Sequence, residues 1–184
     1  MSNLITHYRF TVDQYEKLID VGILKPDSRV ELIRGVVLDQ PAISEQHAAC
    51  VSIISRLLCK HTEDSLIVSI HNPIVLTDSE PEPDLALLRF KPDSYTSGKP
   101  RAQDVLLVIE VSDSTLEIDR EIKAPLYAEA NIPEYWIINL VNRCLEVYRQ
   151  PTAQGYESSK TLTSGEHIEI AGFPGRSVAV SELI

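Results

Sequence analysis

The sequence predicts a mixed α and β fold, with one central sheet flanked by helices. Three observations carry that expectation. Residues 105–109 are an unbroken apolar run, Val105-Leu106-Leu107-Val108-Ile109, the pattern of a central strand covered on both faces. A capping-box pair, Ser114 with Glu117, follows that run, and a β-rich stretch from Glu134 to Ile138 comes next, so strand, helix and strand succeed one another. The chain then continues in short extended stretches punctuated by Gly155, Gly165, Gly172 and Gly175.

Taken in order, Thr11 and Gln14 form a capping-box pair ahead of apolar positions Val12, Tyr15, Leu18 and Ile19, and Gly22 stands where a helix stops. Arg29 to Leu38 is β-rich on both sides of Arg34-Gly35 and reads as a hairpin with Glu31 in its first strand. Ser44 can cap a second helix whose apolar face is Val51, Ile54, Leu57 and Leu58, with His47 one turn upstream on that face. Extended segments follow at Leu66 to Leu76 and Asp84 to Leu88, then the central strand at 104–111. A third helix is predicted to start at Ser114. Strands at 134–138 and 144–148 flank a turn at Asn139 to Arg143, and short strands near 156–162 and 167–170 make a β-rich end. There is no internal repeat and no linker, so a single domain over 1–184 is expected.

Composition narrows the class. With 43% hydrophobic residues and a mean hydropathy of −0.05, the chain is of the soluble globular type. The first 25 residues contain no apolar signal core, and no later apolar run approaches the roughly 18 residues of a membrane span, so a cytoplasmic protein without membrane association is expected. Cys50, Cys59 and Cys144 are odd in number and lack a C-x-x-C spacing, which indicates neither a disulfide framework nor a zinc site. The formal charge of −10 disfavours non-specific binding to a polyanion. Locally the balance reverses: RFKPDSYTSGKPR holds Arg89, Lys91, Lys99 and Arg101 against Asp93 alone. That segment is either a solvated connection or a loop that contacts phosphates.

The chemistry begins at Glu110, a carboxylate at the end of a run that is otherwise buried. Such a group requires a metal ion or a cation. Glu110 lies four residues before the expected cap, roughly 13 Å back along a strand at about 3.3 Å per residue. Lys123 lies nine residues beyond it, roughly 14 Å along a helix at about 1.5 Å per residue. A helix that packs back antiparallel to the strand therefore brings the two level. Asp119, Lys123 and Tyr127 share one helical row, between Leu116 and Ala130. The simpler reading of that row is a surface ion pair between Asp119 and Lys123. Pro125 should kink the helix just after Lys123.

A metal needs a second hard ligand, and Asp84 is the best placed, at the opening of an apolar strand after the stiff approach Glu80-Pro81-Glu82-Pro83. Alone, Asp84 could equally be a strand-leading acid in solvent. Together, Asp84, Glu110 and Lys123 are the equipment of metal-assisted phosphodiester hydrolysis. The carboxylates hold Mg²⁺ or Mn²⁺, the backbone carbonyl of Val111 adds a ligand, and the lysine orients water or neutralises developing charge.

The order Pro83-Asp84, Ile109-Glu110-Val111-Ser112, Asp119-x-x-x-Lys123-x-x-x-Tyr127, Ile132-Pro133-Glu134-Tyr135-Trp136-Ile137 and Glu146-Val147-Tyr148 resembles the Uma-type family, described as putative restriction endonucleases, within the PD-(D/E)XK nuclease superfamily. The match runs from the Glu31-Leu32-Ile33-x-Gly35 hairpin to about Tyr148. The resemblance implies a restriction-endonuclease-like core, a DNA substrate, Mg²⁺ or Mn²⁺ on Asp84 and Glu110, Lys123 as the catalytic lysine, and a homodimer. The superfamily's usual lysine lies two residues after the acid; Ser112 stands there here, and the lysine has moved to the helix. Glu31 resembles the superfamily's N-terminal acid. His47 resembles a histidine of the family's second helix, although a hydrogen-bonded histidine at the core edge is the simpler reading; Ser112 and Tyr127 are accessory candidates. A rival reading, favoured by the acidic net charge, is a nuclease-fold protein that binds or regulates without appreciable catalysis.

Overall fold

The structure is a computed structural model that describes residues 7–25, 28–62 and 65–184. Helix α1 (Val12–Asp20) opens on the expected capping box: the Thr11 hydroxyl accepts from the Gln14 N–H, and the Gln14 side chain accepts from the Thr11 N–H. Strands β1 (Val30–Ile33) and β2 (Val36–Asp39) form the hairpin. Its two-residue turn holds Arg34 at φ 49° and Gly35 at φ 77°, the left-handed pair that suits the twist of a hairpin. Gly35 is also required by space, because a Cβ there would meet Arg9 Cβ at 2.7 Å and the Phe10 carbonyl oxygen at 2.9 Å. Helix α2 (Glu45–Thr62) follows, with its His47 N–H donating to the Ser44 hydroxyl.

The central sheet has six strands in the order β3-β4-β5-β6-β7-β8: β3 (Leu66–Ile70), β4 (Leu85–Arg89), β5 (Val105–Ser112), β6 (Glu134–Asn139), β7 (Cys144–Thr152) and β8 (Gly155–Leu162). Only β5 and β6 are parallel; every other neighbouring pair is antiparallel. The parallel pair needs a crossover, and it is supplied by α3 (Leu116–Ile118), a π-helical turn (Asp119–Lys123) and α4 (Ala124–Glu129). A second small sheet pairs β9 (His167–Glu169) with β10 (Ser177–Ala179), a strand with no expected counterpart in the sequence reading.

Strand alternation divides the core in two. Leu85, Leu87, Leu107, Ile109, Val111, Trp136 and Ile138 pack on one face with Val51, Ile54 and Leu58 of α2. Ala86, Leu88, Val108, Tyr135 and Ile137 pack on the other with Ala124, Leu126 and Tyr127 of the crossover. Each fully buried aliphatic side chain contributes about 1.5–3 kcal/mol. Glu110 shares the parity of Val108, so its side chain faces the crossover and not α2.

Three expectations are corrected. No capping box forms at Ser114, whose hydroxyl and N–H both donate to the Asp113 carboxylate; Thr115 occupies the cap position and its hydroxyl donates to Asp119. The distortion attributed to Pro125 begins earlier, across Asp119–Lys123, where the Ala124 N–H donates to the Asp119 carbonyl five residues back. Proline cannot donate, and its ring crowds the carbonyl four residues before it, so the turn ahead of it widens. The extended segment from Leu66 stops as a strand at Ile70; beyond it the chain is irregular, with Ile74 and Leu76 buried under the second core. Among the described residues, no helix is long and apolar enough to cross a membrane.

Candidate active site

The site lies at one end of the central sheet. Because Leu85 pairs with Ile109, Asp84 at the mouth of β4 stands beside Glu110 near the end of β5. The Asp84 N–H donates to Glu110 Oε2 at 3.2 Å, and the Val111 N–H donates to Asp84 Oδ2 at 2.8 Å. The two acids are thus fixed to each other through backbone donors.

Lys123 comes in from the crossover. Its Nζ lies 3.0 Å from Glu110 Oε1 and 3.2 Å from Glu31 Oε1 on β1, with the ammonium side chain 9% exposed. Tyr127 donates its hydroxyl to the same Glu110 Oε1 at 3.1 Å. Glu31 in turn accepts from the Glu82 N–H at 3.2 Å, tying the hairpin to the segment that leads into Asp84. The π turn turns both Asp119 and Lys123 inward. The buried Asp119 carboxylate accepts from the Ser112 hydroxyl at 2.6 Å and the Thr115 hydroxyl at 2.7 Å, so Ser112 supports the Asp119 end of the cluster.

The α2 side contributes His47, whose Nε2 lies 2.8 Å from Asp84 Oδ1. His71, just after β3, places its Nε2 3.3 Å from that same oxygen. The His71 backbone is left-handed, at φ 49°, and its N–H donates to the Asp84 carbonyl at 3.2 Å. A strained backbone anchored in this way aims the ring at Asp84.

Charge in this cluster is unbalanced. Burial pushes the Glu110 carboxyl well above the usual range; Lys123 opposes that shift, while Asp84, Asp119 and Glu31 add to it. Burial works against the Lys123 ammonium, but Glu110, Glu31 and Asp119 outweigh it and hold the lysine protonated. Burial likewise raises Asp119, and burial with neighbouring Glu31 and Glu80 raises Glu82. Asp84 goes the other way: its burial is outweighed by hydrogen bonds from His47, His71 and the Val111 N–H, which keep it ionised. Its hydrogen bond raises His47 in return. One lysine thus faces several carboxylates, an excess of negative charge that a divalent cation would relieve. The oxygen-rich donor set of Asp84 and Glu110 fits Mg²⁺ or Mn²⁺ in kind.

These groups line one cleft of about 400 Å³, together with Arg29, Ile43 and Ile118. Of the residues singled out from the sequence, Glu31, His47, Asp84, Glu110, Val111 and Lys123 line it. Tyr127 and Ser112 are buried behind it. Arg89, Lys91, Lys99 and Arg101 are not brought to it. Arg89 ends β4, roughly 16 Å from Asp84 at about 3.3 Å per residue, and its Nε donates to the Gln103 carbonyl. Lys91, Lys99 and Arg101 line a separate hollow with Asp13, Glu16 and Asp104, and the Lys99 ammonium is held by Glu16 and Glu80 at 2.9 and 2.7 Å.

Sequence reasoning passed over His71, Glu82 and Arg29. Glu82 could have been found, since the two-residue period of a proline-stiffened segment sets it on the same side as Asp84. His71 gave no local sign, because only the β3–β4 pairing brings it to Asp84.

A family model described as Uma2, putative restriction endonuclease, matches residues 12–181. Among solved structures, the chain is similar to a putative nuclease belonging to DUF820 from Anabaena variabilis, with a TM-score of 0.73, 14% sequence identity, and 95% of this chain and 97% of that chain covered. At that identity the likeness speaks for the fold. No curated protein gives a significant match.

Proposed function

The chain belongs to the Uma2 family of putative restriction endonucleases, and from that premise we propose that it is a metal-dependent endonuclease that hydrolyses DNA phosphodiester bonds in the cleft around Asp84, Glu110 and Lys123. The observation that carries the reading is the 3.0 Å contact of Lys123 with Glu110, made where Glu110 is hydrogen-bonded to Asp84 at the base of an open cleft. Asp84, Glu110 and the Val111 carbonyl would hold Mg²⁺ or Mn²⁺, and the ion, when bound, supplies polarisation of the phosphoryl oxygen and activation of water.

The protein's own groups do the positioning. Lys123 is a fixed positive charge, immobilised by Glu110 and Glu31 and backed by Asp119, available to a non-bridging phosphate oxygen or to the attacking water. Tyr127 holds the Glu110 carboxylate in one orientation, and His47 with the Val111 N–H does the same for Asp84. Arg29, at the cleft wall, is a cation for the flanking backbone. In this scheme Arg89, Lys91, Lys99 and Arg101 would contact phosphates at a distance from the scissile bond. A homodimer, paired through the edge strand β8, is the assembly that would suit cutting both strands.

A second reading, a nuclease-fold protein that binds or regulates, is favoured by the net charge of −10 and by a Glu110 carboxylate already engaged by three donors. Cleavage of supercoiled, linear and single-stranded DNA and of RNA, with Mg²⁺ or Mn²⁺, separates the two. The parent should cut DNA, and Asp84→Ala, Glu110→Ala and Lys123→Ala should each lose the activity. Cutting that survives all three substitutions would sink the site, whereas a parent that neither cuts nor binds metal would leave the second reading.

A further inference from the structure

We infer that His47, Asp84 and His71 form a second kind of metal site in this cleft, one for a first-row transition dication with affinity for imidazole, such as Zn²⁺ or Co²⁺. Three separate parts of the fold supply it: α2, the turn after β3, and the approach to β4. One ligand atom from each of the three residues lies within 4.8 Å of the other two. The His47 and His71 nitrogens stand 2.8 and 3.3 Å from the same Asp84 oxygen. Ligands bound to one ion at about 2.1 Å are themselves about 3.4 Å apart in a tetrahedral site, so these atoms need only modest adjustments to close on a cation. Among the described residues, this is the group of histidine, cysteine and acid side chains whose ligand atoms converge so closely.

The donor set decides the class of ion. Two imidazoles and one carboxylate suit Zn²⁺, Co²⁺ or Fe²⁺, whereas Mg²⁺ takes oxygen ligands and retains its waters. Three protein ligands would leave room for a further ligand, and all three residues line the cleft, which is the donor count of a catalytic ion and not of a closed structural one. The support beneath the ligands is already built. Asp84 Oδ2 is fixed by the Val111 N–H, and the left-handed backbone of His71 is fixed by its own N–H to the Asp84 carbonyl. Asp84 is shared with the carboxylate pair of the proposed nuclease centre. An ion at the histidines would sit beside that centre, offering a second positive charge to a phosphate in a strongly acidic chain. This consequence for cleavage rests on the nuclease reading; the binding itself does not.

Titration of the intact, metal-free protein with Co²⁺, followed by its visible absorption and by calorimetry, tests the site directly. The expected result is one Co²⁺ per chain, displaced by Zn²⁺ and not by millimolar Mg²⁺. His71→Ala, at a partly exposed position that need not disturb folding, should weaken Co²⁺ at least about 10-fold, and His47→Ala should do the same. His167→Ala, an exposed histidine on β9, should leave binding unchanged. Circular dichroism confirms that each variant is folded, and His71→Asn provides a second polar replacement. Co²⁺ affinity indifferent to both His47→Ala and His71→Ala, or a parent that binds Co²⁺ no better than Mg²⁺, overturns the inference. Histidine-dependent Co²⁺ binding in a protein that cuts no nucleic acid would uphold this site while the nuclease reading failed; Mg²⁺-supported cleavage without Co²⁺ binding would do the reverse.

Discussion

Lys123 Nζ lies 3.0 Å from Glu110 Oε1, across the gap between the central strand and its crossover, and the same ammonium reaches Glu31 at 3.2 Å. A single buried lysine therefore joins its own crossover to the neighbouring strand β5 and to β1, which is distant in sequence. Removing it leaves Glu31, Glu110 and Asp119 without their common counter-charge. Breaking a buried pair from one side costs about 3–5 kcal/mol. Lys123→Met should lower the unfolding free energy at neutral pH by about 3 kcal/mol, measured by urea denaturation. A loss below about 0.5 kcal/mol, the range of ordinary surface substitutions, would show that the lysine is not the keystone of the cluster.

Tyr127 is fully buried and gives its hydroxyl to Glu110. Tyr127→Phe keeps the ring and deletes that one bond, at a cost of about 1–3 kcal/mol for leaving a buried acceptor short of a donor. Under the nuclease reading it should reduce kcat and leave KM little changed, since Tyr127 orients a carboxylate and does not line the cleft. A change confined to KM would contradict that role.

A divalent ion that binds the folded protein alone must stabilise it. At one hundred times its dissociation constant, the gain is about 2.7 kcal/mol. Thermal unfolding with and without Mn²⁺ should show a rise in Tm for the parent that is abolished by chelator and absent in Asp84→Ala. Equal rises in parent and variant would place the ion elsewhere.

Acid stability offers a test away from the cleft. Burial acts to raise the Glu146 carboxyl, but hydrogen bonds from Arg120, Asn139 and Tyr148 outweigh it, and the group ends below the usual glutamate value. A carboxyl lowered by folding adds stability that is complete above its unfolded value, about 4.3, and is lost as pH falls through the lower folded value. Arg120 is partly exposed, so solvent screening reduces the pair's worth. Glu146→Gln should cost about 1–2 kcal/mol at pH 7, and the gap from the parent should narrow once the pH drops below about 4. A gap that stays constant down to pH 3 would remove ionisation from the explanation.

Much of the fold was legible locally because its signals are local. The capping box at Thr11, the left-handed turn at Arg34-Gly35 and the Ser44 cap of α2 each depend on neighbours within a few residues. The start of the crossover was misread at Ser114 because Asp113 competes for the serine hydroxyl and Thr115 takes the cap position. The π turn was read only as a proline kink, since its placement ahead of Pro125 depends on how the crossover packs on the sheet.

Packing decided which face of the sheet the crossover covers; by itself, the sequence determined most of the run of elements, the alternation that sets Glu110 on the face of Val108, and the approximate level of Lys123. Those follow from fixed rises per residue and from the alternation of a strand. Tertiary structure alone decided that Glu31 shares Lys123, that His71 joins His47 on Asp84, and that Arg89, Lys91, Lys99 and Arg101 lie away from the cleft. Each of these depends on which strands become neighbours and where loops close, contacts between distant segments for which no local spacing carries a signal.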